Sequence, residues 1–211
     1  MNLREQMDQI YRDMPLDSIP WNISDPPAML VETIEAGKIE PCRAVDLGCG
    51  VGNYTVWLAK QGFNVTGIDI SEQAIDHARD LAIRMGVSCS FEAADLLGDL
   101  KRFREHFEFA YDWEVLHHIF PEDRESYLKN VHSMLRPKGM YFSICFSERD
   151  SDFGGEGKYR KTPLGTTLYF SSEDELKVLF DPLFHICELS TVEVAGKYRP
   201  HQVNLAWLRR R

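Results

Sequence analysis

Three glycines, Gly48, Gly50 and Gly52, stand in the run Val45-Asp46-Leu47-Gly48-Cys49-Gly50-Val51-Gly52-Asn53. Glycine at such a turn lets a ligand lie against the backbone where a β-carbon would block it. A helix opening just beyond the turn offers free amide donors and a partial positive field. Acidic residues stand at matching places. Asp46 comes two residues before Gly48, and Asp69 follows the turn by about twenty residues, where a carboxylate can accept both hydroxyls of a ribose. Asp95, in Ala94-Asp95-Leu96, is placed to meet an adenine amino group. Open α/β sheets bind ligands outside the carboxyl ends of their strands, so these groups converge. A dinucleotide fingerprint starting at Gly48 would need a glycine where Asn53 stands. A pyrophosphate gains little from Asp46, whereas a cationic amino group gains a partner. The pattern therefore prefers a ligand that combines an ammonium group, a ribose and an adenine.

The elements that must position these groups are legible around them. Residues 44–47 read as a strand and 54–60 as a helix stopped at Gly62. Residues 64–70 read as the next strand, and Ser71 caps a helix that runs to Met85 and closes at Gly86. Strand character returns at 88–92, 107–111 and 140–146, with a helix over 123–135 that the turn Arg136-Pro137-Lys138-Gly139 ends. Ahead of this series, residues 2–13 form an amphipathic helix. Asp25-Pro26-Pro27 offers a cap and first-turn prolines for a second helix that Gly37 stops. Residues 148–168, with Gly154, Gly155 and Gly157, read as a long ordered loop or lid. A helix follows Ser171-Ser172, and runs around 184–194 and 202–208 form an antiparallel hairpin at the sheet edge. Alternating strands and helices imply a parallel sheet with helices on both faces.

These runs resemble the motifs of the class I S-adenosylmethionine-dependent methyltransferases. The likeness rests on the glycine run, on Val65-Thr66-Gly67-Ile68-Asp69-Ile70-Ser71, on Ala94-Asp95-Leu96, on Asp112-Trp113-Glu114-Val115-Leu116-His117-His118 and on Leu135-Arg136-Pro137-Lys138-Gly139. Lys138 stands where that family commonly has a second glycine. The resemblance covers roughly residues 26–210. It implies an α/β, Rossmann-like, seven-stranded mostly parallel sheet with an antiparallel C-terminal hairpin. It makes residues 26–211 the methyltransferase domain and 1–25 an N-terminal helix and cofactor-covering segment. The cofactor it implies is S-adenosylmethionine, leaving S-adenosylhomocysteine as product. On that reading Asp46, Gly48, Cys49, Gly50, Gly52 and Asn53 carry the methionine part, Asp69 and Ile70 the ribose, and Ala94, Asp95 and Leu96 the adenine. Asp112 and Trp113 complete the cofactor set.

Methyl transfer from a sulfonium is an in-line displacement, so positioning and electrostatics supply most of the acceleration. A base is needed only when the acceptor arrives protonated. Glu114, His117 and His118 are the candidate proton acceptors, a histidine capping the next helix being the structural alternative. Phe146 at the end of the fifth strand, and Tyr159 and Arg160 on the lid, are the candidate acceptor-binding residues. Trp21, between two structure-breaking prolines, either anchors the N-terminal helix or covers the sulfonium with its ring. The early Trp21, the Pro26-Pro27 helix and Cys145-Phe146-Ser147 resemble the thiopurine, thiol and halide methyltransferase branch, so the acceptor is a small molecule, a thiol or other soft nucleophile being one case. Oxygen or nitrogen methylation of a small metabolite is the alternative within the class, and a non-catalytic cofactor-binding domain the alternative outside it.

Composition narrows the partners. Of 211 residues 44% are hydrophobic and 27% charged, an ordinary globular balance, and a net charge of −9 argues against nucleic acid. No apolar run reaches membrane-spanning length and the first residues carry no signal core, which points to the cytoplasm, off the membrane. The five cysteines lack a Cys-x-x-Cys pair and read as buried small residues, with no metal site expected. A monomer or homodimer is expected, and Arg209-Arg210-Arg211 reads as a solvated tail.

Overall fold

The computed structural model describes residues 2–154 and 156–211; Gly155, read above as part of the lid, lies outside the described residues. Helices are α1 (Leu3–Asp13), α2 (Ala28–Glu35), α3 (Asn53–Lys60), α4 (Glu72–Met85), α5 (Pro121–Met134) and α6 (Glu173–Phe180). Strands are β1 (Arg43–Leu47), β2 (Asn64–Asp69), β3 (Ser90–Ala93), β4 (Phe107–Trp113), β5 (Leu135–Phe146), β6 (Tyr159–Lys161), β7 (Thr167–Tyr169), β8 (Phe184–Val194) and β9 (His201–Arg210). Seven strands form one sheet in the order β3-β2-β1-β4-β5-β9-β8. β1–β2, β2–β3 and β4–β5 pair parallel, whereas β5–β9 and β8–β9 pair antiparallel. The chain divides into two compact units, Met1–Asp99 and Leu100–Arg211.

In the first unit local signals set the element ends. Asn2 and Glu5 close a capping box at the start of α1. Ser71 caps α4 by accepting from the Ala74 amide, and Gly86 ends it in the left-handed conformation at φ 64°. β1 is buried from Ala44 onward, as a central parallel strand requires. The apolar face of α1 supplies Met7, Ile10 and Tyr11 to a cluster with Ile19, Val51 and Ala74. The second helix differs from expectation: it starts at Ala28 with Pro27 as cap and no side-chain capping bond, so Asp25 does not cap it.

The second unit is built on aromatic stacking. Trp207 lies parallel to Phe142 at 4.4 Å and to Phe109 at 6.2 Å, joining three strands through one core. Three expectations change here. Residues 148–168 are not loop throughout, because β6 and β7 pair as a small separate hairpin. Arg136–Gly139 does not leave the sheet but forms an irregularity within β5, with Lys138 at φ 68°, a conformation glycine adopts more readily. The terminal arginines are not a solvated tail. Arg209 and Arg210 belong to β9, Arg210 bonds the Leu135 carbonyl and Glu105, and Arg211 reaches Asp181 and the Phe184 carbonyl.

Candidate functional site

In the first unit the glycine turn is held by its neighbours on β2. The Gly48 and Cys49 amides donate to the Ile68 carbonyl at 2.7 and 3.0 Å, and the Gly50 amide donates to Asp69 Oδ2 at 2.8 Å. Asp69 Oδ1 accepts from the Ser71 amide at 2.9 Å. The Ile70 amide adds a third backbone donor, and two carboxylate oxygens have room for about four. Burial pushes the Asp69 carboxyl up, and those amides oppose the shift. Asp46 is 2% exposed, with Oδ2 accepting from Thr55 at 2.6 Å. Asp95 is exposed beyond β3 and its Oδ1 accepts from the Leu97 amide at 2.8 Å, while Ala94 and Leu96 beside it are buried. Ile70 packs against the α1 cluster.

Gly52 caps α3 at φ 80°, and a β-carbon there would come within 2.9 Å of both Ala78 and Phe91. This glycine is required by packing beneath the turn, not only by space for a ligand. Gly52→Ala is therefore expected to lower stability by about 2–4 kcal/mol, read in chemical denaturation. Asn53 also departs from expectation. Its amide nitrogen donates to Asn22 Oδ1 at 2.9 Å and to the Ile23 carbonyl at 3.0 Å, so the side chain ties the N-terminal segment to α3. Burial and the nearby Asp46 and Asp69 carboxylates keep the Cys49 thiol protonated. Trp21 is partly buried and gives its indole N–H to the Tyr11 hydroxyl at 2.9 Å, which is an anchoring bond.

In the second unit Asp112 is fully enclosed, so it is not open to a ligand as expected. Its Oδ2 accepts from the hydroxyls of Tyr127 at 2.9 Å, Ser143 at 3.0 Å and Tyr141. Trp113 ends β4 partly exposed. Glu114 follows at φ 66°, a left-handed conformation uncommon outside glycine, and its amide donates to the Ile144 carbonyl at 2.8 Å. Removal from water, with the Asp150 carboxylate adding to it, pushes the Glu114 carboxyl up to about 7.

The two histidines differ in role. His117 is 2% exposed, stacks on Phe146 at 4.5 Å and accepts the Phe146 amide at Nδ1 over a long 3.4 Å. Accepting there assigns its proton to Nε2, so the ring is a donor rather than a base. Burial, His118 and Arg124 hold it neutral. Burial also lowers the His118 imidazolium to about 4, so that ring is neutral at physiological pH. Phe146 itself is 5% exposed and sandwiched by His117 and Phe170. Tyr159 is 55% exposed, with its ring edge-on to Phe120 and Tyr169.

Arg160, expected to meet the acceptor, is buried over the Phe170 ring at 3.9 Å. Its guanidinium bonds the carbonyls of Gly157, Asp150, Asp152 and Glu148, which commits it to holding its own loop. Arg124, which the sequence reading did not single out, is 3% exposed and bonds the Leu116 and Ile119 carbonyls and Ser171 Oγ. It holds the turn that carries both histidines. Asp150, Asp152 and His201 bring three possible metal-ligand atoms within 4.8 Å of one another. Arg199 pairs with Asp152, and Asp150 accepts from the Asp152 and Gln202 amides, so these carboxylates already have partners. Their separation in sequence, together with the absence of a spacing motif, hid this cluster.

Comparisons with known proteins agree with the fold. Residues 44–139 match a family model described as a methyltransferase domain. The chain is 25% identical over 191 residues to the ubiquinone biosynthesis O-methyltransferase of Shewanella sp. (strain ANA-3), covering 87% of this chain and 80% of that one. A structure solved in work on the conversion of a disulfide bond into a thioacetal group during echinomycin biosynthesis is 28% identical, with a TM-score of 0.84, covering 99% of this chain and 92% of that one. The 1,6-didemethyltoxoflavin-N1-methyltransferase of Burkholderia thailandensis, solved with S-adenosylhomocysteine bound, shares the fold at 22% identity and a TM-score of 0.69, covering 98% and 83% of the two chains. The chain carries a methyltransferase domain over residues 44–139, and its likeness to S-adenosylmethionine-dependent methyltransferases extends over most of its length. It is an enzyme, and S-adenosylmethionine is its methyl donor. Among the described residues no helix is long and apolar enough to cross a membrane.

Proposed function

We propose that this enzyme methylates a small molecule at a weakly acidic hydroxyl, phenolic or heteroaromatic, and that Glu114 takes the acceptor's proton. The observation that carries the reading is Glu114 itself, set in a left-handed backbone conformation with its carboxyl raised to about 7. Strained backbone and a raised carboxyl together are a mark of functional sites. Magnitudes choose among the three candidates. Glu114 near 7 holds a proton about a thousandfold more tightly than His118 near 4, and His117 presents a donor. A base near 7 suits acceptors that ionise within a few units of neutrality and is too weak for an aliphatic alcohol.

The cofactor's sulfonium supplies the electrophilic methyl group. This chain's residues would hold the rest of it: the glycine turn with Asp46 for the amino-acid portion, Asp69 for the ribose and Asp95 for the adenine. The fit rests on Asp46, a buried carboxylate two residues before Gly48, and on Asp69, whose oxygens lie against the Gly50 and Ser71 amides. Residues 1–25 would cover this part of the domain formed by 26–211. The match to an O-methyltransferase over most of both chains supports an oxygen acceptor.

A thiol acceptor is the second reading, favoured by the 28% identity to a protein of disulfide-to-thioacetal conversion. A thiolate needs little help from a base. The test is S-adenosylhomocysteine formation across matched small phenols, thiols, aliphatic alcohols and amines. Turnover of phenols above the others is the expected result. Turnover of thiols alone would move the assignment to sulfur, and a preference for aliphatic alcohols or amines would overturn both readings.

A further inference from the structure

Tyr11 lies on the buried face of α1, 5% exposed, and a β-carbon added at Gly50 would come within 3.0 Å of its hydroxyl. That hydroxyl accepts the Trp21 indole N–H at 2.9 Å, and the two rings meet edge to face at 6.5 Å. Having accepted one bond, the phenol still has a proton to give. Among the described residues no hydrogen bond uses it as a donor. A buried donor without an acceptor is costly and uncommon, and it marks a place where a partner belongs. Burial, with the Asp69 carboxylate adding to it, holds the phenol in its protonated form.

Other contacts impose this position. Asp8 Oδ1 accepts from Ser71 Oγ at 2.6 Å and from the Gln73 amide at 3.3 Å, which fixes α1 against the start of α4. Asn53 holds the chain at Asn22 and Ile23. The hydroxyl is therefore delivered to the glycine turn by bonds that do not involve it.

We propose that Tyr11 donates its proton to the carboxylate of the cofactor's amino-acid portion, and that Trp21 is a positioning residue acting through Tyr11 rather than by covering the sulfonium. This rests on the reading that the glycine turn holds that portion. Within it only the carboxylate can accept, since the ammonium has no lone pair. The Trp21 N–H polarises the phenol and strengthens the bond the phenol makes onward.

The test is calorimetry with two ligands, S-adenosylhomocysteine and 5′-methylthioadenosine, the second lacking the amino-acid portion. Tyr11→Phe keeps the ring and removes the donor. It is expected to weaken S-adenosylhomocysteine about tenfold and to leave 5′-methylthioadenosine unchanged. Trp21→Phe is expected to weaken S-adenosylhomocysteine about threefold in the wild-type background and to add nothing in the Tyr11→Phe background. Unchanged S-adenosylhomocysteine binding in Tyr11→Phe would overturn the proposal while leaving the cofactor reading intact. Equal weakening of both ligands would also overturn it, since that pattern reports lost packing. A wild-type chain that bound 5′-methylthioadenosine as tightly as S-adenosylhomocysteine would remove the amino-acid portion from the turn, and the proposal with it.

Discussion

Replacing Glu114 with glutamine is expected to lower kcat by about 10²–10³-fold on a phenolic acceptor while S-adenosylhomocysteine affinity stays as in wild type. Glutamine preserves size and hydrogen bonding but cannot take a proton. The carboxyl is raised to about 7, so its basic form is depleted below that pH and predominates above it. Wild-type kcat should therefore rise with pH through about 7 as one ionisation, and the Glu114→Gln profile should lose that step. Asp150 contributes to the raised value, so Asp150→Asn is expected to move the step toward lower pH. A glutamine variant with wild-type turnover would mean that the acceptor arrives already ionised, which is the thiolate case. Measured kcat against pH, with calorimetry for the cofactor, separates these outcomes.

Asp112→Ala has the largest expected effect on stability. Three buried hydroxyls, on Tyr127, Tyr141 and Ser143, converge on one carboxylate oxygen. Alanine would leave all three without that acceptor and open a space in the core of the second unit. Losses of about 1–3 kcal/mol for a buried group left unpaired make a total near 3–5 kcal/mol reasonable at pH 5. The pH dependence has a definite sign. Burial raises the Asp112 carboxyl to about 6 from an ordinary value near 3.8, against the pull of Tyr141, Tyr127 and Ser143. The folded protein then binds this proton more tightly than the unfolded chain. The stabilisation is complete below about pH 4 and is lost as pH rises through about 6, a change of about 3 kcal/mol. Denaturation at pH 5 and pH 8 should show the larger cost of Asp112→Ala at the lower pH. A pH-independent difference would mean that Asp112 titrates alike in both states.

Much of this is legible in the sequence. Ser71 and Gly86 bound α4 because a capping hydroxyl and a left-handed glycine act within one helical turn, where sequence is neighbourhood. The glycine turn and its acidic residues were readable for a related reason. A strand followed by a tight turn delivers the next residues to a place that local geometry prescribes, so Asp46 and Asp69 lie on β1 and β2, and Asp95 just beyond β3. The small hairpin of β6 and β7 was not, because strands of three residues are too short to show a period.

Side-chain commitments followed another logic. Asp112 looked like an acid at a strand end and is the shared acceptor of residues up to 31 positions away. Arg160 looked like a lid cation and is spent on four carbonyls of its own loop. Tyr11 lies on the buried face of an amphipathic helix, yet its hydroxyl lies beside Gly50. By itself the sequence determined the family, the cofactor and the elements that carry the turn, since these depend on short-range steric and hydrogen-bonding rules. Which polar side chains remain free for a ligand was decided only by tertiary structure. Burial makes every buried donor and acceptor seek a partner, and that partner is chosen by proximity in space rather than along the chain.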